Sequence, residues 1–119
     1  MTAFDLACVP VTKIYSAVRF SPSGNTQKHD RPCFGIFLKI HGHTYANTST
    51  QTVPFGSDRV ILLPKGSDYT ITTGAERDPG ETFAIEFDCA GDFVWDRHYI
   101  SSWKLNDPAL VNSLFTEAA

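Results

Sequence analysis

The nine residues Cys33-Phe-Gly-Ile-Phe-Leu-Lys-Ile-His41 carry a clear strand pattern. Its apolar residues recur at the even positions 34, 36, 38 and 40, which is the period-two alternation of a strand with one buried face. Gly42 follows as a turn or bulge residue, and positions 43–48 predict a weaker strand that pairs back on the first. The segment therefore predicts an antiparallel hairpin.

Short β-like runs separated by turn residues continue on both sides of this hairpin. The chain contains nine Phe, four Tyr and two Trp, a composition that favours strands over a helical bundle. Regularly spaced short strands of this kind predict an antiparallel sandwich or barrel. The further predicted strands cover residues 11–20, 60–63, 68–73, 82–87 and 93–100.

The last fifteen residues have a different pattern. Asn106-Asp107-Pro108 is a helix-start signal, with an Asx cap before a proline at the first helical position. Apolar residues at 110, 111, 114 and 115 then fall on one helical stripe. We expect a main domain over residues 1–104 and the first turns of a truncated helix over 105–119.

Charge and cysteine content exclude several classes of protein. The net charge is −3 with Lys and Arg scattered singly, so no nucleic-acid-binding surface is expected within these residues. Cys8, Cys33 and Cys89 are too few and too widely spaced for a disulfide framework or a zinc knuckle, and Cys33 is expected to be buried and inert. With neither a signal peptide nor a long apolar run, the expected location is the cytoplasm, with no membrane partner.

Three fragments, in this order, resemble the N-terminal domains of AraC-type transcription regulators. They are Arg31 to Gly42, Leu62-Leu-Pro-Lys-Gly-Ser-Asp-Tyr69 with its Pro-x-Gly element, and Thr82-Phe-Ala-Ile-Glu-Phe-Asp88. The resemblance implies an all-β, cupin-like jelly-roll (a double-stranded β-helix sandwich) that binds a small effector or dimerises. It also implies that residues 105–119 begin a linker or dimerisation helix, and that DNA is bound only through a C-terminal helix-turn-helix half absent from this chain.

The same resemblance allows a test for a metal site, since cupin enzymes hold a metal with three His and a Glu. When the family's motif is aligned so that its last glycine falls on Gly42, the four ligand positions fall on His29, Arg31, Gly35 and Tyr69. Only His29 is then of the residue type that binds the metal. We predict no metal and no cofactor. His41 and His43 share a strand face, but no Glu follows at the required place, and a solvated hairpin edge is the favoured interpretation.

The strand over 33–41 also supplies candidate ligand contacts. Its apolar face is expected to pack, whereas its mixed face, extended by Arg31 and joined by Tyr69, is expected to face a ligand such as a sugar, a carboxylate or a phosphate. In the alternative, Phe37 fills the core, Lys39 points to water and no ligand binds. Asp58, Glu86 and Asp88 are expected to be solvated charges. The predicted ligand-binding residues are His29, Arg31, Phe37, Lys39 and Tyr69.

Three functions follow from these residues. The first is a non-enzymatic sensor and dimerisation domain of an AraC-type regulator, which binds a small molecule, with a carbohydrate as one candidate, and forms a homodimer. The second is a small stand-alone metal-dependent cupin enzyme, an isomerase or a dioxygenase, for which the ligand set is incomplete. The third is a purely structural dimerisation domain whose cavity is filled by side chains.

Overall fold

The computed structural model describes residues 11–20, 25–73, 80–91 and 94–105, and these form an all-β sandwich of two antiparallel sheets. The strands are β1 (Val11–Phe20), β2 (Thr26–Lys28), β3 (Phe34–His41), β4 (His43–Asn47), β5 (Thr52–Gly56), β6 (Arg59–Leu63), β7 (Tyr69–Thr73), β8 (Glu81–Cys89) and β9 (Ser101–Lys104). The five-stranded sheet has the order β1-β8-β3-β6-β9, and the four-stranded sheet has the order β2-β7-β4-β5.

This architecture confirms the predicted cupin-like β-sandwich. Chain-adjacent strands β3 and β4 lie in different sheets, so the turn at Gly42 crosses from one layer to the other and is not a hairpin of directly paired strands. Gly42 has a φ of 90°, a conformation that side-chain-bearing residues rarely adopt. The predicted pairing of 43–48 back onto 33–41 was therefore wrong, because β4 pairs with β5 and β7 instead.

The alternation of β3 and β6 separates two packing environments. Residues with odd numbers, such as Ile61 and Leu63, face the second sheet and pack with Val53 and Phe55 in the interior of the sandwich. Residues with even numbers, such as Leu62, face the other way. There the outer surface of the five-stranded sheet carries two further clusters, centred on Phe34, Leu62 and Phe87 and on Leu38, Val60 and Phe83, and covered by Trp95, Trp103 and Leu105.

Two sequence predictions differ from the structure or lie outside it, and two strands were missed. The proposed strand at 93–100 was wrong: residues 94–100 form no strand and include a turn at 97–98, where Asp96 accepts backbone N–H groups from His98 and Tyr99, and β9 begins at Ser101. The short strand β2 and the edge strand β5 were not predicted. The expected helix over 105–119 lies outside the described residues, apart from Leu105.

Among the described residues there is no helix of the length and apolarity needed to cross a membrane. Every regular element in this part of the chain is a strand.

Candidate functional site

A cavity of about 350 Å³ lies between the two sheets. This volume is within the range of pockets that bind small molecules. Its walls are mainly aliphatic and aromatic, with a few charged and hydroxyl groups set among them. The lining residues are Val18, Phe20, Thr26, Lys28, Arg31, Phe37, Lys39, Thr44, Phe55, Ile61, Leu63, Tyr69, Ile71, Thr82, Ala84 and Glu86.

The register between β3 and β8 orders the polar groups of this cavity. Three successive cross-strand pairs face the interior: Gly35 with Glu86, then Phe37 with Ala84, then Lys39 with Thr82. An apolar pair therefore separates two polar ones. Since every second residue of a strand faces the same side, this arrangement follows directly from the sequence once the register is fixed.

Arg31 dominates the first polar end of the cavity, where its side chain is only 5% exposed. Its Nη1 donates to the Tyr69 hydroxyl at 3.0 Å, and its Nη2 donates to Oε2 of Glu86, also at 3.0 Å. The guanidinium also lies over the ring of Phe37, with Cζ 5.2 Å from the ring centroid. Because Tyr69 is on β7 and Glu86 is on β8, Arg31 connects the two sheets across the interior.

The Pro-x-Gly turn holds the backbone of Arg31. The Arg31 N–H donates to the carbonyl of Ser67 at 3.0 Å, and the Gly66 N–H donates to the carbonyl of Arg31 at 2.7 Å. Gly66 has a φ of 81°, which requires glycine, and the Ser67 hydroxyl closes the turn on the carbonyl of Pro64 at 2.6 Å. The Pro-x-Gly turn therefore fixes the position of Arg31.

Glu86 belongs to a wider network than the ion pair with Arg31. Its Oε2 also accepts from the Cys33 thiol at 3.3 Å, and its Oε1 accepts from the Ser16 hydroxyl on β1 at 3.3 Å. The Glu86 side chain is 35% exposed. The prediction that Glu86 is a solvated sheet-face charge was wrong, because alternation places it on the inner face with Thr82 and Ala84.

Lys39 defines the second polar end, and its side chain is 1% exposed. Its Nζ donates to Oγ1 of Thr82 at 3.0 Å and lies 4.7 Å from the centroid of the Phe55 ring on the opposite sheet. Phe55 pairs directly with Thr44 in the β4–β5 register, so the Thr44 side chain is adjacent to the same end. The alternative in which Lys39 points to water is excluded by its burial.

Two buried polar atoms in the cavity wall make no hydrogen bond to the part of the chain that the structure describes. They are Nε of Arg31 and Oγ1 of Thr44, and the Thr44 residue is fully buried. A buried polar group without a partner costs free energy, so such groups in native proteins commonly face a ligand or an ordered water. One of these atoms lies at each polar end.

Burial changes the acid–base properties of two groups near Arg31. Desolvation raises the pKa of the Tyr69 hydroxyl, although the neighbouring Arg31 charge and hydrogen bond act in the opposite direction. Desolvation, followed by the hydrogen bond to Glu86, raises the pKa of the Cys33 thiol. Both groups are therefore protonated at neutral pH, which agrees with the expectation that Cys33 is buried and inert.

Four of the five predicted ligand-binding residues line the cavity together: Arg31, Phe37, Lys39 and Tyr69. His29 does not. Its side chain is 86% exposed, and its Nδ1 lies 2.9 Å from Oδ1 of Asp68, beside a separate depression. The prediction that His29 lines the ligand site was wrong. The backbone of Asp30, which is left-handed (φ 49°), lies between His29 and Arg31.

Other charged and histidine residues lie away from the cavity. Asp58 is exposed as expected, whereas Asp88 is half-buried and accepts from the Tyr15 hydroxyl at 3.1 Å. His41 is exposed and His43 packs edge-on against Tyr45, with ring centroids 4.9 Å apart. Within the described ranges, no group of three or more His, Cys, Asp or Glu residues is arranged to hold a metal ion.

Sequence reasoning missed Lys28, Thr44, Phe55 and Thr82 as lining residues. Thr82 could have been found, because it alternates with Ala84 and Glu86 on the face opposite Phe83. Phe55 carried a weaker signal, since Pro54 interrupts its strand pattern and prolines are restricted to edge strands. Only the assembled sandwich brings Thr44 and Lys28 to the cavity.

The fold is similar to that of ToxT from Vibrio cholerae, an AraC-family regulator. A lysine-to-alanine variant of apo ToxT from strain SCE256 has a TM-score of 0.55 at 13% identity over 92% of this chain and 46% of its own. ToxT from strain O395 has 0.55 at 14% identity, over 85% and 44%. Unsaturated-fatty-acid-bound wild-type ToxT has 0.53 at 9% identity, over 90% and 45%.

These similarities establish the fold, and the chain spans less than half the length of the ToxT chains. No protein-family model and no curated protein sequence matches it.

Proposed function

We propose that this chain is the effector-binding domain of an AraC-type transcription regulator, and that its cavity binds an apolar carboxylic acid. The single observation that carries the proposal is a mainly apolar cavity with buried cationic side chains at both polar ends. The fold shared with ToxT, one structure of which contains an unsaturated fatty acid, supports the regulator class and this kind of ligand.

The charge balance of the cavity favours an anionic ligand. Among the described lining residues, Lys28, Arg31 and Lys39 are cationic and Glu86 is anionic. A carboxylate with an aliphatic chain would place its charge near these cations and its chain against Phe20, Ile71 and the other apolar lining residues. A sugar has many more polar groups than these walls can satisfy, so we favour the acid over the carbohydrate predicted as one candidate.

Two alternatives have less support. A metal-dependent enzyme needs converging imidazole and carboxylate groups, but the corresponding positions carry Arg31, Gly35 and Tyr69, with His29 directed elsewhere. A structural domain with a filled interior does not account for a cavity of about 350 Å³. In the role we propose, the domain performs no catalysis and acts in the cytoplasm. Ligand occupancy would then be transmitted to a DNA-binding half encoded elsewhere in the protein, as a two-state coupling within a homodimer.

Isothermal titration of the 119-residue chain with saturated and unsaturated fatty acids tests the ligand class. We expect saturable one-site binding of the acids and at least tenfold weaker binding of the matching methyl esters, because an ester lacks the charge that Arg31 or Lys39 would meet. A panel of monosaccharides serves as the comparison. Saturable binding of a sugar, together with none for any acid, would overturn the proposed ligand.

The regulator class has its own test. We expect the gene to encode two helix-turn-helix patterns downstream of the codon for Ala119, and the longer protein to change its affinity for DNA when the acid is added. Analytical ultracentrifugation of the longer protein would give its oligomeric state. A gene that encodes no DNA-binding pattern would refute the assignment to a transcription regulator.

A further inference from the structure

The exposure of the cavity wall changes from one side of the sandwich to the other. On the side of β4, β5 and β6 the lining residues are buried, among them Thr44, Phe55 and Ile61. On the side of β1 the lining residues are exposed, with Val18 at 43% and Phe20 at 39%. Solvent therefore reaches the cavity from the β1 side.

The two strands on this side are terminal strands of their sheets. β1 is at one end of the five-stranded sheet, and β2 is at one end of the four-stranded sheet. Within the described ranges β1 pairs with β8 and β2 pairs with β7, so no ladder of hydrogen bonds joins β1 to β2. Thr26 of β2 lines the cavity and is exposed, like the lining residues of β1. The opening of the cavity thus lies between two sheet edges.

The ring of Phe20 leans from β1 towards the centre of the cavity. β8 lies between β1 and β3, so the backbones of β1 and β3 are about 10 Å apart at the usual strand spacing. The ring centroids of Phe20 and Phe37 are only 6.4 Å apart, with an edge-to-face angle of 88°. The two rings therefore approach each other above β8, where the small side chain of Ala84 leaves room for them. The ring of Phe20 stands between the opening and the interior.

Phe20 is also held less firmly than the other aromatic rings of the wall. Phe55 is buried, and Phe37 has the guanidinium of Arg31 over its ring. A half-exposed side chain changes rotamer quickly, and a single edge-to-face contact between rings is weak. The ring of Phe20 can therefore leave Phe37 while the backbone of Phe20 stays paired with Thr82.

From this geometry we propose that the cavity is entered between β1 and β2, and that Phe20 is the gate residue. Its ring turns away from Phe37 to admit an apolar chain and returns when the chain is inside. The fraction of time for which the ring is open then sets the rate of entry, so the closed ring slows association and dissociation together. This inference rests on the proposed function for the kind of molecule that enters, and adds the path by which it enters.

A thiol on the buried side of the cavity measures entry without any ligand. In the 119-residue chain, Ile61→Cys provides this thiol, and iodoacetamide, a small neutral reagent, alkylates it. Mass spectrometry of the peptide that contains position 61 separates its labelling rate from that of the natural cysteines. Adding Phe20→Ala should speed this labelling about tenfold, whereas Phe20→Tyr, which keeps the ring, should leave it within about twofold. Leu63→Cys takes the place of Ile61→Cys if that variant fails to fold.

Two controls separate a gate from a general loss of packing. Val18→Ala shortens an exposed side chain of the same edge and should change the labelling rate by less than about threefold. Labelling through an open gate is nearly independent of low urea concentrations, whereas labelling through unfolding rises with urea. The gate is overturned if Phe20→Ala labels within about twofold of its parent, if Val18→Ala matches the increase, or if the increase grows with urea.

The kinetics of acid binding test the proposed function separately. cis-Parinaric acid is a fatty acid whose fluorescence increases in apolar surroundings, so stopped-flow mixing gives both rate constants. Phe20→Ala should raise the association and dissociation rate constants about tenfold, whereas Val18→Ala should raise the dissociation rate constant alone. An association rate constant that Phe20→Ala leaves unchanged would overturn the gate. If the wild-type protein does not bind the acid, the proposed ligand class is refuted, and the labelling rates still decide the gate.

Discussion

The guanidinium of Arg31 occupies the space that a side chain at position 35 would need. A Cβ built on Gly35 would collide with Nη2 of Arg31 and with Cε1 of Phe37. Gly35 has no unusual backbone conformation, so glycine is required at this position by packing and not by φ. The resemblance to cupins implies a carboxylate ligand at this position in the metal-binding members; in this chain the position is glycine, and the guanidinium of Arg31 occupies the adjacent space.

Gly35→Ala should therefore disturb both stability and the cavity. We expect the free energy of unfolding to fall by about 1–3 kcal/mol, since Arg31 must move away from Glu86 or Tyr69 to make room. Urea denaturation measures this loss. Gly91→Ala is the matched control, because a Cβ at Gly91 meets no atom within 4 Å. Equal stabilities of the two variants would contradict the close approach of Arg31.

Tyr69→Phe removes a hydroxyl that accepts from Arg31 and leaves the ring in place. At pH 7 the variant should be less stable by about 1 kcal/mol. Burial raises the pKa of Tyr69 above its ordinary value of 10.0, so the folded protein keeps the phenol proton when the unfolded chain has lost it. This contribution to stability is complete below pH 10 and is lost as the pH rises through the folded pKa.

The stability difference between wild-type protein and Tyr69→Phe should accordingly shrink above pH 10. Urea denaturation at pH 7, 9 and 10.5 measures it, and absorbance of the ionised phenol follows the titration directly. A difference that grows with alkaline pH would show that Arg31 lowers the pKa of Tyr69 by more than burial raises it.

Lys39→Met should lower both stability and ligand affinity. Replacing the buried ammonium by an apolar chain of similar length should lower the free energy of unfolding by about 1–3 kcal/mol, because the buried Oγ1 of Thr82 loses its donor. Affinity for a fatty acid should fall at least tenfold, because the charge at that end of the cavity is gone. Thermal melts with and without ligand give both quantities. Lys104→Met, on the exposed end of β9, controls for the loss of a surface charge.

The edge strand β1 exposes large apolar side chains to solvent, and Ile14, at 63% exposure, is the most exposed of them. We expect Ile14→Lys to reduce concentration-dependent self-association while changing the free energy of unfolding by less than about 0.5 kcal/mol. Light scattering over a concentration series detects the change. Val94→Lys replaces an apolar residue that is 83% exposed but outside any strand, and should have a smaller effect.

The fold class could be predicted because alternation in β3 and β8 is strong and each strand has one clearly apolar face. Strand pairing could not be predicted, because a glycine between two strand patterns suggests a hairpin. In the structure Gly42, with a φ of 90°, instead connects strands in two different sheets. The error at 93–100 has a similar cause. Trp95 and Ile100 are apolar enough to suggest a strand, but Asp96 caps a turn between them.

The residues of the candidate site that lie on one strand could be predicted from the sequence, whereas those that the opposite sheet contributes could not. Phe37 and Lys39 follow from the mixed face of β3, and Arg31 and Tyr69 follow from the resemblance. Glu86 was misjudged because a charged residue on a strand is usually solvated, whereas here its partly exposed carboxylate pairs with Arg31 in the cavity wall. Thr44 comes from the opposite layer, and its position next to Phe55 is a property of the assembled register.

The five-stranded sheet has the cavity on its inner face and Trp95 and Trp103 on its outer face. Neighbouring residues of β6 belong to different sides: Ile61 lines the cavity, while Leu62 and Val60 contact the clusters that include Trp103. A molecule that enters the cavity is thus one backbone thickness away from an indole ring. We therefore expect a bound ligand to change the intrinsic tryptophan emission of the unlabelled protein, to which Trp95 and Trp103 both contribute.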